Sequence, residues 1–351
     1  MKKILLAAAI ILSSQFPISN FLHAQEATLY QVSVGDLKGF INAKGEMVVE
    51  PQYIMAHDFA EGLASVYTEE ESQWGFIDAK GKMVVKPQYD WAECFSEGLA
   101  KVQKDGKRGY IDHTGKRVIP LQWDNADDFH EGLAAVQLGD VRDGRWGYID
   151  KSGKLVIKCQ FEMAGYFSDG LALVRVDGKW GFIDRTGKFV IQPQYSMMET
   201  FSEGLAVAWL GTGEGGCINR KGQWVIPANF ENIQSFSDGL AAVMVDGHYG
   251  FIDKTGKMVI EPQFVDAHDF SEGLAAVRVF KDGEHLWGFI DKSGKMVIEP
   301  QWDDVLFFVN GLCLVIINEA GLTPEEIMYG SGEGLKNGYI DKKGSLVWRE
   351  P

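Results

Sequence analysis

The sequence predicts an all-β fold: a tandem array of antiparallel three-stranded β-meanders in an open superhelical stack, with a closed propeller-like ring as the alternative. Three observations predict it. A glycine followed by an aromatic, Ile and Asp or Asn stands at Gly39, Gly75, Gly109, Gly147, Gly181, Gly250, Gly288 and Gly338; Gly216 holds the same phase with Cys217 in the aromatic place. A second glycine, before Leu and after Glu, Asp or Asn, follows each of the first eight by 23 residues, at Gly62, Gly98, Gly132, Gly170, Gly204, Gly239, Gly273 and Gly311. Only the return step varies, through 13, 11, 15, 11, 12, 11, 15 and 27 residues, so all length variation falls in one loop, as a packed unit with a surface hairpin tip requires.

Residues 1–24 read as an export signal. Lys2 and Lys3 form a basic start, Ile4 to Leu12 an apolar run, and Leu22-His23-Ala24 a cleavage site. Ser13, Ser14 and Gln15 interrupt the run well short of the ~20 residues a spanning helix needs, and no cysteine near the cleavage point could carry a lipid. Residues 25–351 are expected to form one repeat domain of nine units, exported to the periplasm or the cell exterior, without a membrane span once the leader is cut.

One repeat, Leu171 to Phe201, shows the unit. Strand a is Leu171 to Val176, Asp177-Gly178 turn the chain, and strand b is Lys179 to Asp184. Asp184-Arg185-Thr186-Gly187 reads as a type I turn whose Asp caps backbone N–H groups and whose Gly takes positive φ. Strand c, Lys188 to Ile191, stops at Pro193, which cannot donate to a ladder. The following segment, Tyr195 to Ser202, carries an aromatic, often Ala three residues later, and Phe three later again; that spacing suits a helical turn or a short bent strand.

The runs WGFIDRTGKFVI at 180–191, WGFIDAKGKMVV at 74–85 and WGFIDKSGKMVI at 287–298, with the P-Q-aromatic and F-S-E-G-L-A segments, resemble the bacterial WG (KWG) repeat family. The resemblance covers nearly all of the chain after the leader. It implies a β-rich scaffold, often exported, and brings no reaction and no catalytic residues.

The faces of strand b indicate how units meet. Ile183 and its equivalents are all isoleucine, Phe182 and its equivalents aromatic except Cys217, and strand c carries Val190 on one face and Ile191 on the other. A sheet apolar on both faces is buried on both faces. The array starts at a strand a and ends at a strand c, leaving no strand to zip first unit to last, and nine meanders exceed the usual four to eight blades; both favour the open stack.

Charge excludes some partners. The chain carries −15, and −17 without Lys2 and Lys3, so nucleic acid and anionic lipid, which demand a basic footprint, are not expected. The four cysteines, Cys94, Cys159, Cys217 and Cys313, occupy alternate units and different phases, so no bridge is expected, and Cys217 and Cys313 read as buried small hydrophobes. Basic residues follow the b–c turn Asp or Asn (Lys151, Arg185, Arg220, Lys254, Lys292, Lys342) while the c-to-a connection is acidic (Asp58, Glu61, Glu93, Glu97), which predicts a basic rim opposed to an acidic one.

His57-Asp58 and His268-Asp269 share one phase and are the weak metal or acid–base candidates. Glu93, Asp127, Gly165, Glu199, Gln234 and Leu306 fill that phase elsewhere, the mixture of a solvated face, and a site needs three or four convergent ligands. No metal or cofactor is expected. Trp74, Trp146, Trp180 and Trp287 suit packing better than a stacking ladder for ligands.

The insert 319–336 breaks the repetition. Thr323-Pro324-Glu325-Glu326 starts a helix, and Ile327, Met328 and Tyr329 beside Glu325 and Glu326 form a candidate binding segment, the alternative being a cap on the array. Function is expected at such differences between units: a monomeric, non-catalytic scaffold binding a protein or cell-envelope polymer through the a–b tips and this insert. The alternatives are an envelope-glycan hydrolase or lyase using an acid pair, or a structural spacer.

Overall fold

A computed structural model describes residues 28–140, 143–211, 213–281, 283–318 and 334–351; the candidate segment Glu325 to Tyr329 lies outside the described residues. The chain divides into two compact units, 25–230 and 231–351. Among the described residues the regular elements are all β-strands, in nine small antiparallel sheets.

The first unit begins with a three-stranded sheet, β1 (Tyr30–Val34), β2 (Leu37–Ile41) and β3 (Met47–Tyr53). Five four-stranded sheets follow. The second joins β4 (Met55–Ala56), β5 (Leu63–Thr68), β6 (Gln73–Asp78) and β7 (Met83–Tyr89), and the third β8 (Trp91–Ser96), β9 (Leu99–Lys104), β10 (Lys107–Ile111) and β11 (Arg117–Trp123). The fourth is β12 (Asn125–Ala126), β13 (Leu133–Leu138), β14 (Arg145–Asp150) and β15 (Leu155–Phe161), and the fifth β16 (Met163–Ser168), β17 (Leu171–Val176), β18 (Lys179–Asp184) and β19 (Phe189–Tyr195). The sixth is β20 (Met197–Met198), β21 (Leu205–Trp209), β22 (Gly215–Asn219) and β23 (Trp224–Phe230). The second unit repeats the plan in three sheets: β24 (Asn232–Ile233) to β27 (Met258–Phe264), β28 (Asp266–Ala267) to β31 (Met296–Trp302), and β32 (Asp304–Val305) to β35 (Leu346–Arg349).

Of the two readings of the segment after strand c, the short strand holds and the helical turn does not. What differs is its place, as the first strand of the next sheet, as when Met197 and Met198 pair with Trp209 and Ala208. Each repeat thus lends its last segment forward, and the resulting four-stranded sheet resembles a propeller blade, the alternative reading, rather than the three-stranded element of an open superhelical stack.

The glycine of strand b and the Pro-Gln of strand c explain each other. Trp180 pairs with Tyr195 and Phe182 with Ile191, so strand c spends three residues, Gln192-Pro193-Gln194, opposite Gly181 alone. The bulge lies over that glycine: a Cβ there would stand 2.5 Å from the Ile191 carbonyl oxygen and 2.7 Å from the Pro193 nitrogen. The same bulge recurs in the other sheets down to Gly288, with 2.4–2.6 Å to the equivalent carbonyl.

Strand b is buried on both faces, Ile183 and Phe182 being almost fully enclosed. Strand c departs from expectation. Ile191 is buried, but Val190 is 43% exposed, and Val48, Val84, Val118, Val156, Val225, Val259 and Val297 are open alongside it. Strand c packs one face and leaves the other open, and as the last strand of its sheet it carries prolines that blunt its free edge.

Up to three clasps tie one sheet to the next within a unit. The Phe at the end of the forward segment packs on the strand b aromatic of the preceding sheet, Phe201 on Phe182 at 4.6 Å and Phe129 on Tyr110 at 4.8 Å between ring centroids. The following Ser donates to the next sheet's Phe carbonyl: Ser96 to Phe129, Ser168 to Phe201, Ser237 to Phe270 and Ser271 to Phe308, at 2.6–3.2 Å. The Glu or Asp before the second glycine then accepts from the backbone N–H of that glycine in the next sheet, Glu97 from Gly132 at 2.8 Å and Glu272 from Gly311 at 3.0 Å. These acids sit at φ near +50° (Glu97 53°, Glu131 50°) in a two-residue hairpin turn with the glycine. A left-handed Glu is costly, and the clasp offsets the cost.

The opposed charged rims are also corrected. The basic b–c turn lies beside the acidic clasp of the preceding sheet: Lys151 reaches Glu97 at 3.2 Å, His113 Glu61 at 3.1 Å and Lys342 Glu272 at 2.9 Å. Burial would raise Glu97, yet Gly132 N–H and Lys151 hold its carboxyl below the usual range.

The b–c turns behave as the sequence predicts. Asp184 Oδ1 accepts from Thr186 N and Lys188 N, and Asn42 and Asn219 do the same in their turns. Bonds from the turn hydroxyl, Thr186 for Asp184 and Thr114 for Asp112, lower these exposed carboxyls, as they do at Asp150, Asp253 and Asp291. With folded values below unfolded ones, their contribution is complete above the unfolded value and disappears as pH falls through the folded one. Melting temperature should therefore drop below about pH 4, and Asp184→Asn, which keeps the acceptor, should retain the fold and flatten that slope; an unchanged slope in thermal melts refutes the assignment.

Candidate functional site: an acidic recess with an exposed tryptophan

The motif residues are spent on bulges, turns and clasps, so chemistry must come from positions that differ between sheets. Two such positions follow the buried Ala of each short first strand: His57-Asp58, Glu93-Cys94 and Asp127-Asp128 in the second, third and fourth sheets. Within the unit 25–230 these converge. Cys94 Sγ lies 3.4 Å from the Asp58 carbonyl oxygen, and Lys101 Nζ, on β9, lies 3.7 Å from Asp128 Oδ1.

Lys101 occupies a position that Ala135 and Ala242 fill elsewhere, and its side chain is only 10% exposed. It acts on Asp127 and Asp128, where Arg108 and His130 also contribute, while His57 acts on Asp58. Asp128 Oδ1 is buried without a hydrogen bond. Crowding by protein raises the carboxyls of Asp58, Asp127 and Asp128; Lys101 opposes the rise at Asp127 and Asp128, and His57 opposes it at Asp58. Asp58 is nevertheless exposed. The same carboxylates, after burial, push the Cys94 thiol well up, and burial lowers His130, so this recess holds no activated thiolate.

Aromatic rings wall one side. His57 stacks on Trp74 at 4.8 Å and 12°, with its Nδ1 2.8 Å from Ser65 Oγ. Trp91 leans on Trp74 at 5.1 Å and on His57 at 5.7 Å, and its Nε1 donates to Glu93 Oε1 at 2.7 Å. Trp74 is buried, but Trp91 is 37% exposed.

The weak metal candidates take ordinary places. His268 packs on Trp287 at 4.4 Å as His57 packs on Trp74, and burial lowers its pKa. His57-Asp58 and His268-Asp269 belong to separate compact units, and no group of three or more potential ligands occurs among the described residues. Trp74 and Trp287 are buried packing residues as expected. All four cysteines are free thiols; Cys217 and Cys313 are buried, and burial pushes Cys217 up to about 12.

Sequence reasoning missed Trp91. Its signal was the position two residues after the strand c aromatic, held by Met55, Trp91, Met163 and Met197, all exposed. Lys101 was also missed, though a lysine amid Leu99-Ala100 and Val102 stands out once that strand is known to be buried.

The family model described as "WG containing repeat" matches residues 39–70, 74–107, 109–141, 146–180, 180–208, 216–248, 249–280 and 287–319. No curated protein matches the chain. Among solved structures the chain is similar to BamB from Moraxella catarrhalis, at 13% identity and a TM-score of 0.45 over 80% of this chain and 94% of that one. It is similar also to Hsv2 from Kluyveromyces lactis, at 11% identity and a TM-score of 0.39 over 76% of this chain and 95% of that one. No helix among the described residues is long and apolar enough to cross a membrane.

Proposed function

Because the chain belongs to the WG containing repeat family, we propose that it is an exported, non-catalytic scaffold that binds a protein or cell-envelope polymer. The observation that carries this reading is the division of labour along the repeat. Residues constant from sheet to sheet are consumed by bulge, turn and clasp, while the variable positions of the second, third and fourth sheets meet at one acidic patch. The insert 319–336 remains a second candidate contact, and residues 1–24 supply the reading of export.

A glycan-cleaving enzyme is the second reading, favoured by the raised carboxyls of Asp58, Asp127 and Asp128 beside an exposed indole. Lys101 against Asp128 weakens it, since an ammonium keeps its partner carboxylate ionised.

The test has three readouts. Protein recovered from the cell envelope should begin at Gln25 by intact mass. Crosslinking in cells should join it reproducibly to a defined partner. Incubation with purified envelope glycan should release no fragments. An uncut chain in the cytoplasm refutes export, and glycan turnover that Asp128→Asn abolishes replaces the scaffold with the enzyme.

A further inference from the structure

The recess points to one ligand chemistry. Trp91 presents an indole face whose position is fixed by Trp74 and His57, and the Nε1 bond to Glu93 Oε1 holds a carboxylate at the ring's edge. Glu93 Oε2 has no hydrogen-bond partner among the described residues, nor does the carboxylate of Asp58. Asp128 Oδ1 lies 3.7 Å from Lys101 Nζ with a third of the Asp128 side chain open, and Asp58 is exposed, so the negative charge beside the indole is only partly offset. A π-face beside oriented acids in a partly desolvated site attracts a cation. Its planarity lets a guanidinium lie on an indole while its N–H fork meets a carboxylate, and its weak hydration makes it cheaper to bury than an ammonium.

Resting on the scaffold reading, we propose that this recess is the docking point for an arginine side chain of a partner protein, stacked on Trp91 and bonded to Glu93, with Asp58 and Asp128 supplying the remaining negative field. Charge complementarity selects this occupant over an apolar peptide, which would leave the acids desolvated and unpaired. It also selects it over a glycan, which offers no cation to Asp58 or Asp128.

The test uses the purified leader-free protein at low salt and a short peptide of alternating glycine and arginine, followed by tryptophan fluorescence and calorimetry. The peptide should bind and perturb Trp91 emission. The same peptide with citrulline in place of arginine should not bind, and the lysine version should bind more weakly. Trp91→Ala should weaken the arginine peptide about tenfold, or about 1.4 kcal/mol, Glu93→Gln should weaken it several-fold, and Trp91→Phe should restore most of the affinity. Trp91 also packs on the buried Trp74, so thermal melts of each variant separate loss of the site from loss of the fold, and Trp91→Phe keeps that packing. Glu261→Gln with Glu299→Gln, on the open face of strand c, should change nothing.

Equal binding of arginine and citrulline peptides, or affinity indifferent to Trp91→Ala and Glu93→Gln, overturns the proposal and leaves only diffuse attraction to an acidic protein. Equal binding of lysine and arginine peptides overturns the guanidinium assignment. A crosslinked partner that survives Trp91→Ala sinks this site while sparing the scaffold reading. Peptide binding without any cellular partner does the reverse.

Discussion

Truncating Phe201 to alanine should destabilise the chain by about 3–5 kcal/mol, among the larger costs of a single substitution. The ring is 1% exposed and packs on Phe182 of its own repeat at 4.6 Å, within a cluster that also holds Ile191, Met198, Ala206 and Ile218. The cluster spans two sheets, so the cavity weakens both, and neither can collapse to fill it while the Ser168 bond to the Phe201 carbonyl fixes the backbone. Val190→Ala, on the open face of strand c, should cost under about 1 kcal/mol. Chemical denaturation of the two variants checks both figures, and equal costs would show that the two faces of the sheet are not different.

Gly181→Ala should be nearly as damaging, at about 3 kcal/mol or more, although only a methyl group is added. A flexible side chain could move aside, but the atoms a Cβ would meet are the Ile191 carbonyl oxygen at 2.5 Å and the Pro193 nitrogen at 2.7 Å. Both belong to the bulge that lets Trp180 pair with Tyr195. Relief means opening the b–c ladder. Gly338→Ala offers an internal comparison: there the nearest atoms are the side-chain carbons of Leu346 and Ile317 at 3.1 and 3.2 Å, and the effect should be smaller. If both variants melt alike, the bulge is not what the glycine serves.

Much of this fold was legible before any coordinates. The strands a, b and c, the Asp-capped turn and the two buried faces of strand b followed from period-2 alternation and turn chemistry, which are local. The forward strand was not, because Met197-Met198 is too short for a period and its partner Trp209 is set by tertiary packing. The charged rims were misread for the same reason: Glu97 and Lys151 stand 54 residues apart in sequence, and only pairing of successive sheets joins them. For the site, repetition pointed to variable positions, but it could not show that Trp91 and Glu93 lie against His57, or Lys101 against Asp128, because those contacts are set between sheets.

The clasps all point one way along the chain. Ser96 and Glu97 find their partners at Phe129 and Gly132, and Ser168 finds its partner at Phe201. A polypeptide made from its N-terminus therefore delivers each hydroxyl and carboxylate before the carbonyl and N–H that satisfy them have emerged. Closure of each clasp then lags about one repeat behind the growing end, and the newest sheet waits for the next to complete it.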